Sequence, residues 1–595
     1  MSDESDNESI YEKPSKELLE FITIINKKEN NIIKEFENLK NSDKKKIITE
    51  LKCISSNNSS ILFKLIFSNI PTEIKTEIIN RYNNSDPNDK KFDNWLNNIL
   101  RIPFDNYNKP INLSTQFKIN QFLENANKIL DNAVYGHEKG KHKIIQYLAQ
   151  LISNPSSKGF NLGIYGPCGN GKTTLIEHGL SKILNRPFVC ISLGGATDAS
   201  YLNGHGYTYE GSTWGQIIDV IMKAKVMDPI IYFDELDKIS NTPKGDEIIN
   251  LLIHLTDPVQ NIHFQDKYFG NINIDLSKVM FIFSFNNIKK INHILLDRIF
   301  TIKTNGFSTK EKIQISKNYL IPNIIRDINN KYLDNLDDNV IEQLITTYTC
   351  EGGVRTLKKL LYEIYREINL QSITGNIKKR KRYDWDYINS FIKTFKPIKN
   401  DKIHQIPAIG KINGLYCMSE FGIGGILPIE ANWIPSESII GLQVTGNLGS
   451  VMNESVTVAK TVAWNLLPNE RKEYWFNRWH KYKSGIHLHC QELSCSKEGP
   501  SAACAITLCI YSLLMGLQID NTFAITGEIN LSGDVLSIGG LKEKIYGAIV
   551  AGCTSVYIPK QNKNDLEIIL KKDENIKIKI IPINHISEII KLLWN

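Results

Sequence analysis

This 595-residue sequence has no uninterrupted apolar run approaching the ~18 residues needed to cross a membrane as a helix. Its acidic N-terminus, residues 1–9 (MSDESDNES), lacks both the apolar stretch of a signal peptide and the arginine enrichment of a transit peptide. An intracellular, most simply cytoplasmic, address without membrane association is expected. The ten cysteines contain no C-x-x-C pair, which argues against a zinc ribbon or a disulfide frame. They are expected to be reduced and mostly buried. Charge of one sign is not in excess: the net charge of +7 is small for the length, and permits nucleic-acid contact without arguing for it. No short internal repeat is apparent.

What is present is a composition ordinary for globular proteins, with 42% hydrophobic and 23% charged residues. The length exceeds what one hydrophobic core supports, so three or four domains are expected. Residues 1–125 are polar with apolar residues at helical spacing (Leu18, Leu19, Phe21, Ile22; Ile32, Ile33, Phe36), which predicts helices behind a disordered acidic tip. Over 126–307, strand-like runs at Phe160–Tyr165, Phe188–Leu193, Pro229–Phe233 and Val279–Phe285 alternate with helical patterns, the mark of a parallel α/β sheet. Residues 308–397 read as helical, with amphipathic segments near Ile341–Tyr348 and Leu357–Ile368. The basic run Lys378–Arg382 reads as a solvated turn, or as a nuclear-localisation or DNA-contacting patch. Residues 398–595 mix strands, helices and Gly turns.

Gly166, Pro167, Cys168, Gly169, Asn170, Gly171, Lys172 and Thr173 fit the phosphate-binding pattern G-x-x-x-x-G-K-[ST]. Glycines let backbone N–H groups curl around an anion, Lys172 reaches the terminal phosphates, and the Thr173 hydroxyl can ligate Mg²⁺. The motif follows an apolar strand and opens a predicted helix, Thr173–Ile183, which puts the phosphate at the positive helix end. A second strand, Ile230–Phe233, closes on Asp234 and Glu235. Two acids ending an apolar strand are costly unless a cation or substrate awaits them. Asp234 would hold Mg²⁺ through water and Glu235 would polarise the attacking water, so nucleotide hydrolysis is expected.

Ser501 stands before an apolar helix, Cys504–Met515. There it is either a plain N-cap or a nucleophile whose oxyanion the free N–H groups stabilise. Downstream, Gly539-Gly540 leads into a helix carrying Lys542 and Lys544, whose side chains point about 200° apart, so only one of them can face a partner. A lysine acts as a general base only when neutral, and bringing its pKa from ~10.4 to near 7 costs on the order of 4–5 kcal/mol. No G-x-S-x-G elbow surrounds Ser501, and His487 and His489 alternate in a strand-like segment, a pattern that more often means packing than catalysis. A Ser–Lys dyad therefore suits the chain better than a Ser-His-Asp triad.

From Phe92 to near the C-terminus these residues resemble the Lon protease family, in the form with motor and protease in one chain. The resemblance lies in the phosphate loop, Phe233–Lys238, Leu295–Arg298, Gly499–Ala502, Thr526–Glu528 and Ile538–Lys544. It implies a multidomain α/β protein: a helical N-terminal region, an AAA+ α/β domain with a helical lid, and an α+β Lon-type protease domain. It implies Ser501 as nucleophile, Lys544 as base and Thr526 as the lysine's support, leaving Lys542 solvent-facing or structural. It further implies Asn286 as sensor of the γ-phosphate, Arg355 as sensor on the lid and Arg298 as a finger reaching a neighbour's ATP. Tyr209 would grip substrate in a central pore. A homo-hexamer degrading unfolded or misfolded proteins with ATP and Mg²⁺ follows. The sequence departs from the family at Glu210, Ala503 and loop 490–496, and its N-terminal region is short for a full substrate-recruiting domain. The competing expectation is a non-proteolytic AAA+ unfoldase or DNA-remodelling ATPase that binds DNA weakly.

Overall fold

The computed structural model describes residues 61–594 apart from 85–89, 112, 114, 156–158, 197, 210, 331–332, 350, 375–382, 393–394, 396, 398–405, 419–421, 492–496 and 573–575, together with Lys44, Lys45 and Ile47. The acidic N-terminus, Glu210, the Lys378–Arg382 run and most of loop 490–496 lie outside the described residues. Backbone contacts divide the chain into two units.

The first unit gathers residues up to Tyr107 with His205–Met227 and Gln265–Ile272. Its helices include Thr72–Asn84, Lys90–Ile99 and Gln216–Ala224. Its core is aromatic: Trp95, 1% exposed, stacks on Phe92 at 5.6 Å and donates its indole N–H to the Tyr268 carbonyl at 3.1 Å. Asp266, wholly buried, accepts the N–H groups of Gly215 and Tyr268 at 2.8 and 2.9 Å; burial pushes its carboxyl up to about 6.

The second unit, Asn108–Gly204, Asp228–Phe264 and Asn273–Asn595, holds two sheets. In the first, β1 (Leu162–Tyr165), β2 (Phe188–Ser192), β3 (Ile230–Asp234), β4 (Met280–Phe285) and β5 (Phe300–Lys303) run in the order β2-β3-β4-β1-β5. All pairs are parallel. Every residue of β4 is buried, as is β3 up to its terminal Asp234, because helices cover both faces of such a sheet. Helix Gln116–Ala133 runs unbroken across position 125 and buries Ala126 and Leu130 in this core. The helix after the phosphate loop differs from the uniform Thr173–Ile183 expected: Lys172–Thr174 and Ser181–Leu184 are α-helical, and a π-helical turn, Leu175–Leu180, separates them. Beyond β5, helices including Asp338–Tyr348 and Arg355–Ile373 pack as a separate helical core.

The second sheet is mixed. It comprises β6 (Lys411–Met418), β7 (Ile423–Pro435), β8 (Leu442–Thr445), β9 (Ser484–Cys490), β10 (Phe523–Ile525), β13 (Ser555–Pro559) and β14 (Lys579–Ile583), in the order β14-β13-β10-β6-β7-β9-β8. A short ribbon of β11 (Glu528–Ile529) and β12 (Val535–Leu536) stands apart. Helix Ala503–Met515 buries every residue but its last. An all-round apolar helix of that kind belongs at the centre of a core. Helix Leu541–Val550 buries Leu541, Lys544, Ile545 and Ala548, a 3.6-residue stripe that includes a lysine. Seven cysteines are described, all free thiols; Cys490, Cys504, Cys509 and Cys553 are buried, but Cys190 is exposed.

Candidate functional site

Parallel pairing aligns the C-terminal ends of β1, β4 and β3, because Tyr165 is in register with Phe285 and Phe233 with Phe283. The phosphate loop, Asn286, Asp234 and Glu235 therefore emerge at one sheet edge, where α/β folds bind ligands. The loop is braced from beneath: Asn170 Nδ2 donates to Thr304 Oγ1 at 2.8 Å, and Thr304 Oγ1 donates to the Tyr165 carbonyl at 2.9 Å. Lys172 Nζ donates to the Gly166 and Pro167 carbonyls at 2.8 and 2.9 Å and to Asn286 Oδ1 at 3.1 Å. Burial brings its ammonium down to about 8. The Thr173 hydroxyl is paired with the Tyr232 hydroxyl at 3.2 Å.

Glu235 has a left-handed backbone (φ 59), a strained state for a non-glycine residue, directly after Asp234, whose Oδ1 accepts its N–H at 3.0 Å. Gly194, after β2, gives the Glu235 carboxylate its space, since a Cβ there would fall on that carboxylate. On the lid side, Val354 donates its N–H to the Gly169 carbonyl at 3.0 Å, and a Cβ on Gly169 (φ +72) would come within 2.8 Å of Arg355 Cβ. Arg355, exposed at the start of its helix, thus stands beside the loop. Arg298 is held locally, donating to the Ile294 carbonyl at 3.2 Å and lying 3.8 Å from Asp257. Tyr209, in the first unit, is 71% exposed.

The second constellation joins residues far apart in the chain. Lys544 Nζ donates to Ser501 Oγ at 2.8 Å and to Thr526 Oγ1 at 3.1 Å. Thr526 Oγ1 in turn donates to the Ser501 carbonyl at 3.2 Å, and the Gly527 N–H bonds the same carbonyl at 2.9 Å. Lys544 is 3% exposed and Thr526 fully buried. Burial lowers the Lys544 ammonium to about 8, against smaller opposing effects from Cys417 and Glu543.

The plain N-cap reading of Ser501 does not hold. A 3₁₀ turn, Pro500–Ala502, precedes helix Ala503–Met515, whose N-cap is Ala502 with no side-chain cap bond. The Ser501 hydroxyl faces Lys544 instead, and its position at the helix entrance leaves the positive end of the dipole nearby. His487 Nε2 and His489 Nδ1 both meet Thr445 Oγ1, at 3.0 and 2.8 Å. Of the two alternatives for Lys542, the solvent-facing one fails: its half-buried ammonium donates to the Gly306 carbonyl at 3.1 Å. Sequence reasoning missed Thr304, Tyr232 and Gly194. Thr304 and Gly194 each lie just beyond a strand end of the nucleotide sheet, the one signal that could have drawn attention to them.

Three family models match the chain. The Lon protease (S16) C-terminal proteolytic domain covers residues 387–595, the ATPase family associated with various cellular activities covers 162–305, and the Lon protease AAA+ ATPase lid domain covers 330–381. A Lon protease homolog of Acanthamoeba polyphaga mimivirus is 34% identical over 596 residues, covering 88% of this chain and 57% of its own length. The Lon protease of Clostridium beijerinckii is 34% identical over 546 residues, with 90% and 65% covered. That of Trichlorobacter lovleyi is 36% identical over 470 residues, with 78% and 56% covered. The chain thus spans 56% to 65% of the length of these relatives. Among the described residues no helix is long and apolar enough to cross a membrane. A nucleotide-binding sheet, its lid and a proteolytic core follow one another in this chain, and the chain belongs to the Lon protease family.

Proposed function

We propose that this chain is an ATP-dependent serine endopeptidase that pulls unfolded or misfolded proteins through a ring and cleaves them with the Ser501–Lys544 dyad. The observation that carries the reading is the buried Lys544 amine at 2.8 Å from Ser501 Oγ, with an ammonium pKa near 8. A lysine so shifted is neutral in a useful fraction of molecules near neutral pH.

Neutral Lys544 takes the Ser501 proton as Oγ attacks the scissile carbonyl carbon. The tetrahedral oxyanion forms beside the N–H groups at the helix entrance. The Lys544 ammonium then gives that proton to the departing amine, leaving an acyl ester on Ser501. In the second half Lys544 deprotonates water, the resulting hydroxide attacks the ester, and Ser501 leaves with the proton. Thr526 fixes the amine and the Ser501 backbone together through both of its hydrogen bonds.

For the motor, hard oxygen donors favour Mg²⁺. The Thr173 hydroxyl and the Asp234 carboxylate, both at the sheet edge, are donors of that kind and fit such an ion held jointly with ATP. Bound there, Mg²⁺ would neutralise charge developing on the phosphates. Lys172 binds the terminal phosphates, Glu235 polarises the attacking water, and Asn286 and Arg355 contact the nucleotide from sheet and lid. Arg298 acts as a finger toward a neighbouring subunit's ATP, which calls for a ring, taken as a homo-hexamer. Tyr209 grips the translocating chain, and its exposure suits that role.

The test is ATP-stimulated degradation of an unfolded protein beside Ser501→Ala and Glu235→Gln. Ser501→Ala is expected to abolish cleavage while ATP turnover persists, and Glu235→Gln to lose turnover. Degradation by Ser501→Ala at the parental rate rules the dyad out.

A further inference from the structure

The helix that carries Lys544 reaches the phosphate loop through a hydrogen bond from Lys542 and a series of close contacts at glycines. Lys542 donates to the carbonyl of Gly306, three residues beyond β5. Gly306 is pressed against Gly352, so that a Cβ on Gly306 would lie 3.2 Å from the Gly352 Cα; the Gly352 carbonyl also accepts the Phe307 N–H at 2.8 Å. Gly352 leads directly into the turn whose Val354 bonds Gly169 of the phosphate loop.

A second route reaches the same place. Gly422, just before β7, has φ +64, and a Cβ there would approach Pro167 Cγ of the phosphate loop at 2.9 Å and Gly352 Cα at 3.0 Å. Two residues on, a Cβ at Gly424 would fall on the Glu543 carbonyl and within 2.8 Å of the Lys544 nitrogen. Beyond the Lys542 side chain these contacts set glycines against backbone or the rigid Pro167 ring, with little that can yield, so a shift at one end is passed on rather than absorbed. A misplacement of about 1 Å at a reacting pair can cost on the order of a hundredfold in rate.

We infer that Lys542 is a positioning residue: by tying the dyad helix to the Gly306–Gly352 contact, it makes the Ser501–Lys544 geometry respond to what the phosphate loop holds. The inference rests on the protease reading above and names the connection that reading lacks. Lys542 touches no reacting atom; it acts through the placement of Lys544. Two lysines on opposite sides of one helix then have separate tasks, one facing the serine and one facing the motor.

The test uses the full chain, a short unstructured fluorogenic peptide that needs no unfolding, and a non-hydrolysable ATP analogue, so that binding is separated from translocation. In the parent the analogue should change peptide hydrolysis about fivefold or more. In Lys542→Ala that response should shrink to within about twofold while ATP turnover persists, and Lys542→Arg, which keeps a donor, should restore most of it. A reciprocal measurement does not depend on turnover: a reversible peptidyl boronate on Ser501 should change the parent's affinity for the analogue by the factor by which the analogue changes boronate affinity, and should not do so in Lys542→Ala. A full response in Lys542→Ala, or no response in the parent, overturns the inference. If Ser501→Ala is inactive yet Lys542→Ala responds fully, only the coupling fails; if Ser501→Ala cleaves normally, the protease reading itself fails.

Discussion

Lys544 Nζ lies 2.8 Å from Ser501 Oγ although 43 positions separate the two residues, and Thr526 holds both through a single hydroxyl. The cost of this arrangement is a buried amine. Depressing its pKa from 10.5 to about 8 disfavours folding at neutral pH by about 3 kcal/mol. A protein whose net stability is only about 5–15 kcal/mol does not keep such a group without a use for it.

Peptide cleavage should rise with pH through about 8, because the neutral amine is the reactive form and the Lys544 ammonium loses its proton there. Below that point the rate should fall about tenfold per pH unit. A pH–rate profile on a short peptide checks this. Lys544→Arg, which keeps the charge but cannot be deprotonated, should be inactive throughout.

Thr526→Ala should lower peptide cleavage by about 10- to 100-fold, since it removes one of the two hydrogen bonds on the amine and one of the two on the Ser501 carbonyl. Thr526→Ser keeps the hydroxyl and should recover most of the rate. Equal rates for Thr526→Ala and the parent in a steady-state assay would contradict the positioning role.

Gly194→Ala should separate nucleotide binding from hydrolysis. The added Cβ displaces the Glu235 carboxylate and leaves Lys172 and Thr173 untouched. ATP turnover should drop by at least about tenfold, approaching the loss in Glu235→Gln, with nucleotide affinity within about threefold of the parent. Fluorescent-nucleotide titration together with phosphate release measures both quantities.

Asp228→Ala should destabilise the nucleotide-binding sheet by about 3 kcal/mol or more. Asp228 is 2% exposed, lies 3.3 Å from Arg186 Nε and accepts two hydrogen bonds from Asn108. Removing it leaves the partly buried Arg186 guanidinium without its counter-charge and both Asn108 donors without their acceptor. The urea midpoint of the nucleotide-protected transition should fall, and that shift reads the effect directly.

The amino-acid order by itself determined whatever depends on neighbours in the chain. The run Gly166–Thr173 must form an anion-cradling turn because glycine spacing and a following helix impose it, and a continuous apolar strand ending in Asp234 and Glu235 must lie inside a parallel sheet. The lid helices follow from the same periodicity. Lys542 and Lys544 were a different matter: their spacing left open which one faces a partner, and only resemblance favoured Lys544. The tertiary structure decided it, because helix Leu541–Val550 lays Leu541, Lys544, Ile545 and Ala548 inward, which carries one amine to the serine and turns the other toward Gly306. Nor could local pattern tell Ser501 from an N-cap. That depended on a 3₁₀ turn at the helix entrance and on Thr526 and Gly527 arriving from a distant strand end. Sequence fixes chemistry held within a turn or two of chain. Distances between remote segments come only from how the cores pack, because burial energy is non-directional and is shared over many residues.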